Sequence, residues 1–270
     1  MYESPLTSVE ELGPYIKSMK SCPKSGLHNP FKNVDRYLLY GDVSAKAAEM
    51  LHKEDVADFF ARMIQRVVPK SYTQAMNEVR ITRQFLRNFS GDQVRFLARG
   101  FTVPGDHHGQ ESKGYRFPFG PVGLVTPFNF PFEIPMLQLM GALYMGNRPV
   151  MKVDSRVSAV MDQAVRLLHA CGMPMSDVDF VHCDGPVMNR LLVRGKPAST
   201  LFTGSSRVAE KLTKDLNGRV RLEDAGFDWK ILGPDAKDVD YVAWVCDQDA
   251  YGASGQKCSA QSIVFMHRNW

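Results

Sequence analysis

No part of this sequence approaches the roughly 18 consecutive apolar residues that a membrane-spanning helix requires. It has no C-x-x-C pair, so it offers no zinc knuckle. The fingerprint G-x-G-x-x-G is also missing, which argues against a standard Rossmann pyrophosphate turn. There is no internal repeat and no low-complexity tract. The opening stretch MYESPLTSVEELGPYIKSMK carries acidic residues and lacks an apolar core, so it reads neither as a secretory signal nor as an Arg- and Ser-rich transit peptide. The five cysteines (Cys22, Cys171, Cys183, Cys246 and Cys258) are odd in number and irregularly spaced, which fits free thiols in a reducing compartment better than a disulfide framework. A net charge of +4, dispersed along the chain, is too little to argue for nucleic acid.

What is present is enough apolar material for a large core: 270 residues, 44% of them hydrophobic. Residues 33–103 read as helical, with apolar residues at three- and four-residue spacing over 45–51, 56–67 and 75–89. Arg80, Arg83 and Arg87 share one face of the third helix, and a solvated face explains them better than an anion or RNA contact. From Phe101 to Pro121 the pattern changes to Gly, Pro and His with alternating aromatics, the signature of a β-ribbon. Its turn holds Asp106, His107 and His108, but neighbouring His residues in a turn seldom converge on one ion, so no metal site is expected.

Beyond Gly123 short apolar strands alternate with helices. Strands are expected at 123–126, 149–153, 179–182, 199–203 and 219–222, and helices at 133–145, 158–170, 187–193 and 206–216. That alternation argues for an α/β fold with a parallel sheet, whose ligands bind at the carboxyl ends of the strands. Chemistry-bearing residues fall at those ends. Thr126-Pro127-Phe128-Asn129 reads either as a proline-rich connection or as an amide donor aimed into a cleft. Lys152 closes the next strand. Gly204-Ser205 lies where a strand turns into a helix, a phosphate site by its backbone N–H groups and dipole, or an ordinary helix cap. Glu223 offers a base, and Cys258 sits in the small, polar stretch Gly255-Gln256-Lys257-Cys258-Ser259-Ala260. A cysteine placed so, beside a lysine, is either one more structural thiol or a nucleophile.

The order of these elements decides the matter. P-F-N-F-P, a lysine after the second strand, F-T-G-S, a glutamate and G-Q-K-C follow one another as in the aldehyde dehydrogenase superfamily, which this sequence resembles along essentially its whole length. Stretches such as RFLARGFTVPGDHHGQ, RLEDAGFDWKILGPD and CDQDAYGASGQKCSAQS look like the land-plant delta-1-pyrroline-5-carboxylate dehydrogenase branch. The resemblance implies an NAD-dependent oxidation of glutamate semialdehyde to glutamate in proline breakdown, in the mitochondrial matrix, by a homo-oligomer. It makes Cys258 the nucleophile, Glu223 the base that activates water, and Asn129 an oxyanion donor beside the Cys258 backbone N–H. Thr126, Pro127, Phe128, Lys152, Ser155, Gly204 and Ser205 would hold the cofactor, and Ser259 the substrate carboxylate. Lys257 would add a cation that favours the thiolate.

The resemblance also assigns domains: 1–103 as an N-terminal helical part of the cofactor domain, 104–120 as a partial oligomerisation ribbon, 121–224 as the Rossmann-type domain, and 225–270 as the start of a catalytic domain. Two departures stand out. Asp224 sits beside Glu223, and Ser155 stands where a carboxylate often repels the 2′-phosphate of NADP, so NAD is expected to be preferred but NADP is not excluded. The superfamily is nearly twice this length, so the chain is expected to be a fragment or truncated product, with aromatic surface left uncovered near Tyr115–Phe119 and Ile263–Met266. Two alternatives stay open at this level: a non-catalytic dinucleotide-binding module or subunit partner, and transfer to coenzyme A, against which Glu223 argues.

Overall fold

Leu124, Val150, Met151 and Phe202 are buried in short strands, and that burial builds the centre of the molecule. The computed structural model describes residues 4–270. Its N-terminal third is helical: α1 (Gly13–Ser21), α2 (Asp35–Met50), α3 (Glu54–Val67) and α4 (Tyr72–Asn88). Ser71 starts α4 with a capping box, its hydroxyl accepting from the Gln74 N–H while Gln74 reaches back to the Ser71 N–H. An exposed antiparallel ribbon follows, β1 (Phe101–Pro104) and β2 (Glu111–Gly114).

Next come β3 (Pro121–Thr126), α5 (Glu133–Tyr144), β4 (Arg148–Val153), α6 (Ser158–Ala170), β5 (Asp179–Phe180), α7 (Gly185–Gly195), β6 (Ser199–Gly204), α8 (Ser206–Asp215) and β7 (Val220–Asp224). The five strands form one parallel sheet in the order β5-β4-β3-β6-β7. One face packs Leu124, Met151 and Val153 against α2 to α6. The other packs Val150 and Phe202 against α1, α7 and α8. With period-two strands, alternate residues feed the two faces, which is why the strands read as continuous apolar runs. The chain moves outward from β3 through β4 to β5, then returns to β6 on the other side, so the order reverses between β3 and β6. Ligand crevices open at such a reversal.

The expected strands and helices of this region are present. The strand at 179–182 is shorter, with Val181 reduced to one bond to the Met151 carbonyl, and the last strand extends through Glu223 to Asp224. Three elements went unanticipated: α1, β8 (Asp228–Leu232) and α9 (Val239–Tyr251). β8 pairs in parallel with β9 (Gln261–Met266), apart from the main sheet. Helix α9 buries no residue, and Trp229, Ile231, Trp244 and Phe265 are all more than half exposed. On the ribbon side Tyr115 and Phe119 are likewise exposed. Among the described residues no helix is long and apolar enough to cross a membrane, and no cluster of His, Cys, Asp and Glu is arranged to hold a metal ion.

Candidate active site

At the reversal between β3 and β6 lies a cavity of about 820 Å³, within the usual range for a ligand site. Each wall comes from a strand's carboxyl end or from the segment that follows it. From β3 come Thr126 and the loop Pro127, Phe128 and Asn129. From β4 come Lys152, Asp154 and Arg156; from β6, Gly204 and Ser205; from β7, Glu223. Gln256, Lys257 and Cys258 close one end. Ser155 and Ser259 are exposed and lie outside this lining. The Ser155 carbonyl accepts instead from the Ser158 hydroxyl.

The donor set suits a polar, anionic ligand with an aromatic part. The Thr126 hydroxyl is buried without a partner, although buried polar groups are normally paired. Ser205 is the N-cap of α8, yet its side chain makes no cap bond. Ser205 lines the cavity, and of the first N–H groups of this ten-residue helix that of Val208 is given to the Ser205 carbonyl, which leaves those of Ser206 and Arg207 without an intrahelical partner. Gly204 belongs there for a steric reason: a Cβ would come within 2.7 Å of the Phe202 ring.

On the opposite wall Lys152 gives one donor to the Val153 carbonyl at 3.1 Å and keeps the rest of its ammonium available. Burial raises the Asp154 carboxyl, but hydrogen bonds from Arg156 and the nearby charges of Arg156 and Lys152 outweigh it and hold the group below the usual carboxylate range. The Arg156 guanidinium, fixed on Asp154 at 2.9 Å, lies 4.7 Å above the Phe128 ring.

At the other end the backbone turns sharply. Ala253 and Ser254 have φ of +53° and +58°, and Gly255 of +72°. For the two residues with a Cβ this left-handed conformation costs about 1–2 kcal/mol each, a strain that contacts elsewhere must offset. Two of those contacts are plain: the Ser254 hydroxyl donates to the Pro69 carbonyl at 2.8 Å, and the Asn129 side-chain amide donates to the Gln256 carbonyl at 2.7 Å. The turn delivers Cys258 into the same cavity lining as Glu223, whose charge and hydrogen bond act on the thiol, with the N–H groups of Cys258 and Ser259 acting the other way.

Cys258 is the exposed member of the five thiols; Cys22, Cys171 and Cys183 are buried and Cys246 is intermediate. Its electrostatics differ from expectation. Partial burial pushes the Cys258 thiol up, and the charge and hydrogen bond of Glu223 push it further, against a smaller opposite pull from the two N–H groups. Lys257 is not among the causes; its aliphatic stem lies near Gly252, so the expected cation does not lower this thiol. Asn129 departs too, since one of its two amide protons is given to Gln256 rather than to the cavity. Sequence reasoning also missed Arg156, Asn189 and Lys211 in the lining. A signal existed for Arg156: it follows Asp154 by two residues at a strand end, a spacing that closes a local ion pair.

A doubly wound α/β fold with its cavity at the reversal defines the class. Residues 41–270 match the aldehyde dehydrogenase family, and the chain belongs to it. It is 67% identical to the mitochondrial delta-1-pyrroline-5-carboxylate dehydrogenase 12A1 of Arabidopsis thaliana, over 98% of this chain and 48% of that protein. It is 29% identical to malonate-semialdehyde dehydrogenase 2 of Geobacillus kaustophilus, over 96% of this chain and 52% of that protein. Among solved structures, the methylmalonate-semialdehyde dehydrogenase of Oceanimonas doudoroffii superposes with a TM-score of 0.84 at 24% identity, covering 97% of this chain and 52% of that one, a likeness of fold. The chain spans about half the length of the curated relatives it matches.

Proposed function

We propose that this chain carries the cofactor cavity and the nucleophile of a dehydrogenase that oxidises L-glutamate γ-semialdehyde to L-glutamate. The observation that supports this most directly is the Cys258 thiol set against the Glu223 carboxylate at the end of the cavity. The substrate follows the name of the Arabidopsis relative. In this reading Glu223, or water beside it, takes the thiol proton, and the sulfur adds to the aldehyde carbon. The second amide proton of Asn129 and the Cys258 N–H stabilise the resulting oxyanion. After oxidation to the thioester, Glu223 takes a proton from water, whose oxygen attacks the acyl carbon; the thiol leaves and the carboxylate is released.

Thr126, Pro127, Phe128, Lys152, Gly204 and Ser205 fit a nicotinamide dinucleotide, with the helix N-terminus on its phosphates and Lys152 on ribose hydroxyls. When bound, that cofactor supplies the two-electron acceptor. We assign NAD, with NADP tolerated because Arg156 and not an unpaired carboxylate stands near the rim. Ser259 is kept as a contact for the substrate carboxylate, and Ser155 has no role at the cavity in this conformation. Residues 121–224 form the cofactor domain in this reading, with 1–103 as its helical part, 104–120 as an oligomerisation ribbon and 225–270 as the beginning of the catalytic domain. A homo-oligomer in the mitochondrial matrix completes the proposal, to be checked by light scattering and organelle fractionation.

Incubation with NAD and glutamate semialdehyde should give an acyl adduct on Cys258, detected by mass spectrometry and absent from Cys258→Ser. Absence of both NAD binding and that adduct would defeat the reading. NAD binding without the adduct would favour a non-catalytic dinucleotide-binding module instead. The observation behind that second reading is a buried cofactor sheet beside a nucleophile segment whose neighbours β8, α9 and β9 lie exposed.

A further inference from the structure

Two charged side chains, distant in sequence from the thiol's own segment, are fully withdrawn from water. Lys70, between α3 and α4, and Glu78, within α4, are each 1% exposed and meet at 2.7 Å. Taking both charges out of water costs several kcal/mol per ion, so a bare pair in this position gains little for stability. Glu78 does more than pair. Its Oε2 accepts from Lys70, while its Oε1 accepts the backbone N–H groups of Phe132 at 2.9 Å and Glu133 at 3.0 Å. Those are orphan donors at the start of α5, whose N-cap position holds Phe132, a residue with no capping side chain. A carboxylate from another helix therefore caps α5, where the helix dipole favours a negative charge.

The lysine completes the grip. Its ammonium lies 3.5 Å over the centre of the Phe130 ring, in the same loop that carries Asn129. One residue earlier, the Pro69 carbonyl accepts the Ser254 hydroxyl of the left-handed turn before Cys258. The segment Pro69-Lys70 thus holds both sides of the site, and the Asn129–Gln256 bond joins them across the middle.

We propose that Lys70 and Glu78 are positioning residues: through the α5 cap, the Phe130 ring and the Pro69 carbonyl they fix the Asn129 loop and the Cys258 turn relative to each other. The proposal rests on the roles given above to Asn129 and Cys258, but its test needs neither turnover nor cofactor. Burial holds the Lys70 ammonium below the ordinary lysine value, with Glu78 and then Glu133 pulling it back up, so both carboxylates face it. Around the Cys258 sulfur the charged neighbour is Glu223.

Two double variants of the 270-residue chain separate positioning from stability. Lys70→Met with Glu78→Gln removes both charges but keeps an oxygen for the Phe132 and Glu133 N–H groups. Lys70→Met with Glu78→Leu removes the charges and the acceptor. Amide hydrogen exchange and the pH profile of Cys258 alkylation are read in both. The Gln-containing variant should lose some protection at Asn129 and Phe130, where the Lys70 ammonium no longer lies over the Phe130 ring, but keep native protection at Phe132 and Glu133. The Leu-containing variant should lose about tenfold there, as expected for forfeited hydrogen bonds. Its alkylation midpoint should fall toward that of an ordinary cysteine as Cys258 leaves Glu223. Equal loop protection and equal alkylation profiles in the two variants would overturn the proposal, as would a loss of protection spread evenly over the core. Should the Leu-containing variant not fold, Ser254→Ala gives the second arm. It should raise exchange over 252–258 and alter the Cys258 alkylation rate; an unchanged rate there overturns the proposal as well.

Discussion

The side-chain amide of Asn129 and the backbone carbonyl of Gln256 stand 2.7 Å apart, joining the loop after β3 to the turn that bears Cys258. Because Gln256 lies only two residues before Cys258, this bond sets where the thiol sits relative to the sheet. Asn129→Ala removes it and leaves the Gln256 carbonyl without this donor, a loss of about 1–3 kcal/mol borne locally. The expected result is faster exchange over 252–258 and a lower catalytic rate in any turnover assay, with the melting of the sheet little changed. Unaltered exchange in that segment would remove the bond from the list of determinants.

The electrostatics of Cys258 give a prediction opposite in sign to the one its neighbour Lys257 invites. Glu223 raises the thiol's pKa by charge and by hydrogen bond, after burial as the larger cause. Glu223→Gln removes the negative charge and keeps the shape. The thiol should then ionise at lower pH, and alkylation of Cys258 at pH 7 should become faster than in the native chain, even though the water activation proposed for Glu223 would be lost. Slower alkylation at pH 7 in the variant would contradict this placement of the carboxylate. In the native chain the rate should keep rising with pH above neutrality.

How much of this was legible beforehand depended on whether a residue's environment is local. The parallel sheet could be read because β3, β4 and β6 are short apolar runs between helices, and the site residues because each lies at a strand end. Helix α9 could not, because it buries no residue that would mark an apolar face. Strand β8 does alternate, Trp229 and Ile231 against Asp228 and Lys230, but the apolar pair is the exposed one and the polar pair the more covered, the reverse of the usual arrangement, so the alternation leads to no packed core. Lys70 and Glu78 were hidden for a related reason: a charge in or beside a helix reads as solvated, and only the tertiary contact with the start of α5 explains its burial. The Lys257 effect failed because sequence adjacency fixes the backbone and not the direction of a long side chain.

The wall proposed to hold the cofactor predicts a binding phenotype independent of chemistry. Lys152 is the ammonium of that wall with a single backbone contact, so Lys152→Met removes charge with little cost to the sheet. NAD affinity by calorimetry should drop roughly tenfold, as for the loss of one charge-assisted hydrogen bond. Gly204→Ala should act differently, forcing the Phe202 ring from its place 2.7 Å away and disturbing the sheet along with the ligand. A Lys152→Met chain that binds NAD as the native one does would move the ribose contact elsewhere.

The last prediction concerns acid. His28 is fully buried between Tyr37 and Tyr40, and burial, then the adjacent Arg36, depress its pKa from 6.5 to about 4; Asp177, the Leu27 backbone and Asp35 pull weakly the other way. Its Nε2 has no partner, so the folded chain favours the neutral ring. The unfolded chain, with an ordinary imidazole, binds a proton near pH 6.5 that the folded chain refuses until about pH 4. Between these values unfolding takes up protons, so stability is complete above about pH 6.5 and falls as the pH drops. By pH 4 the loss from this group approaches about 3 kcal/mol. His28→Phe keeps an aromatic ring against Tyr37 and removes the titration, though it also forfeits the 3.4 Å contact from Arg36. Denaturant midpoints measured from pH 4 to pH 7 should therefore slope less steeply in the variant than in the native chain. If the two slopes are the same, His28 is not the group that carries the acid sensitivity.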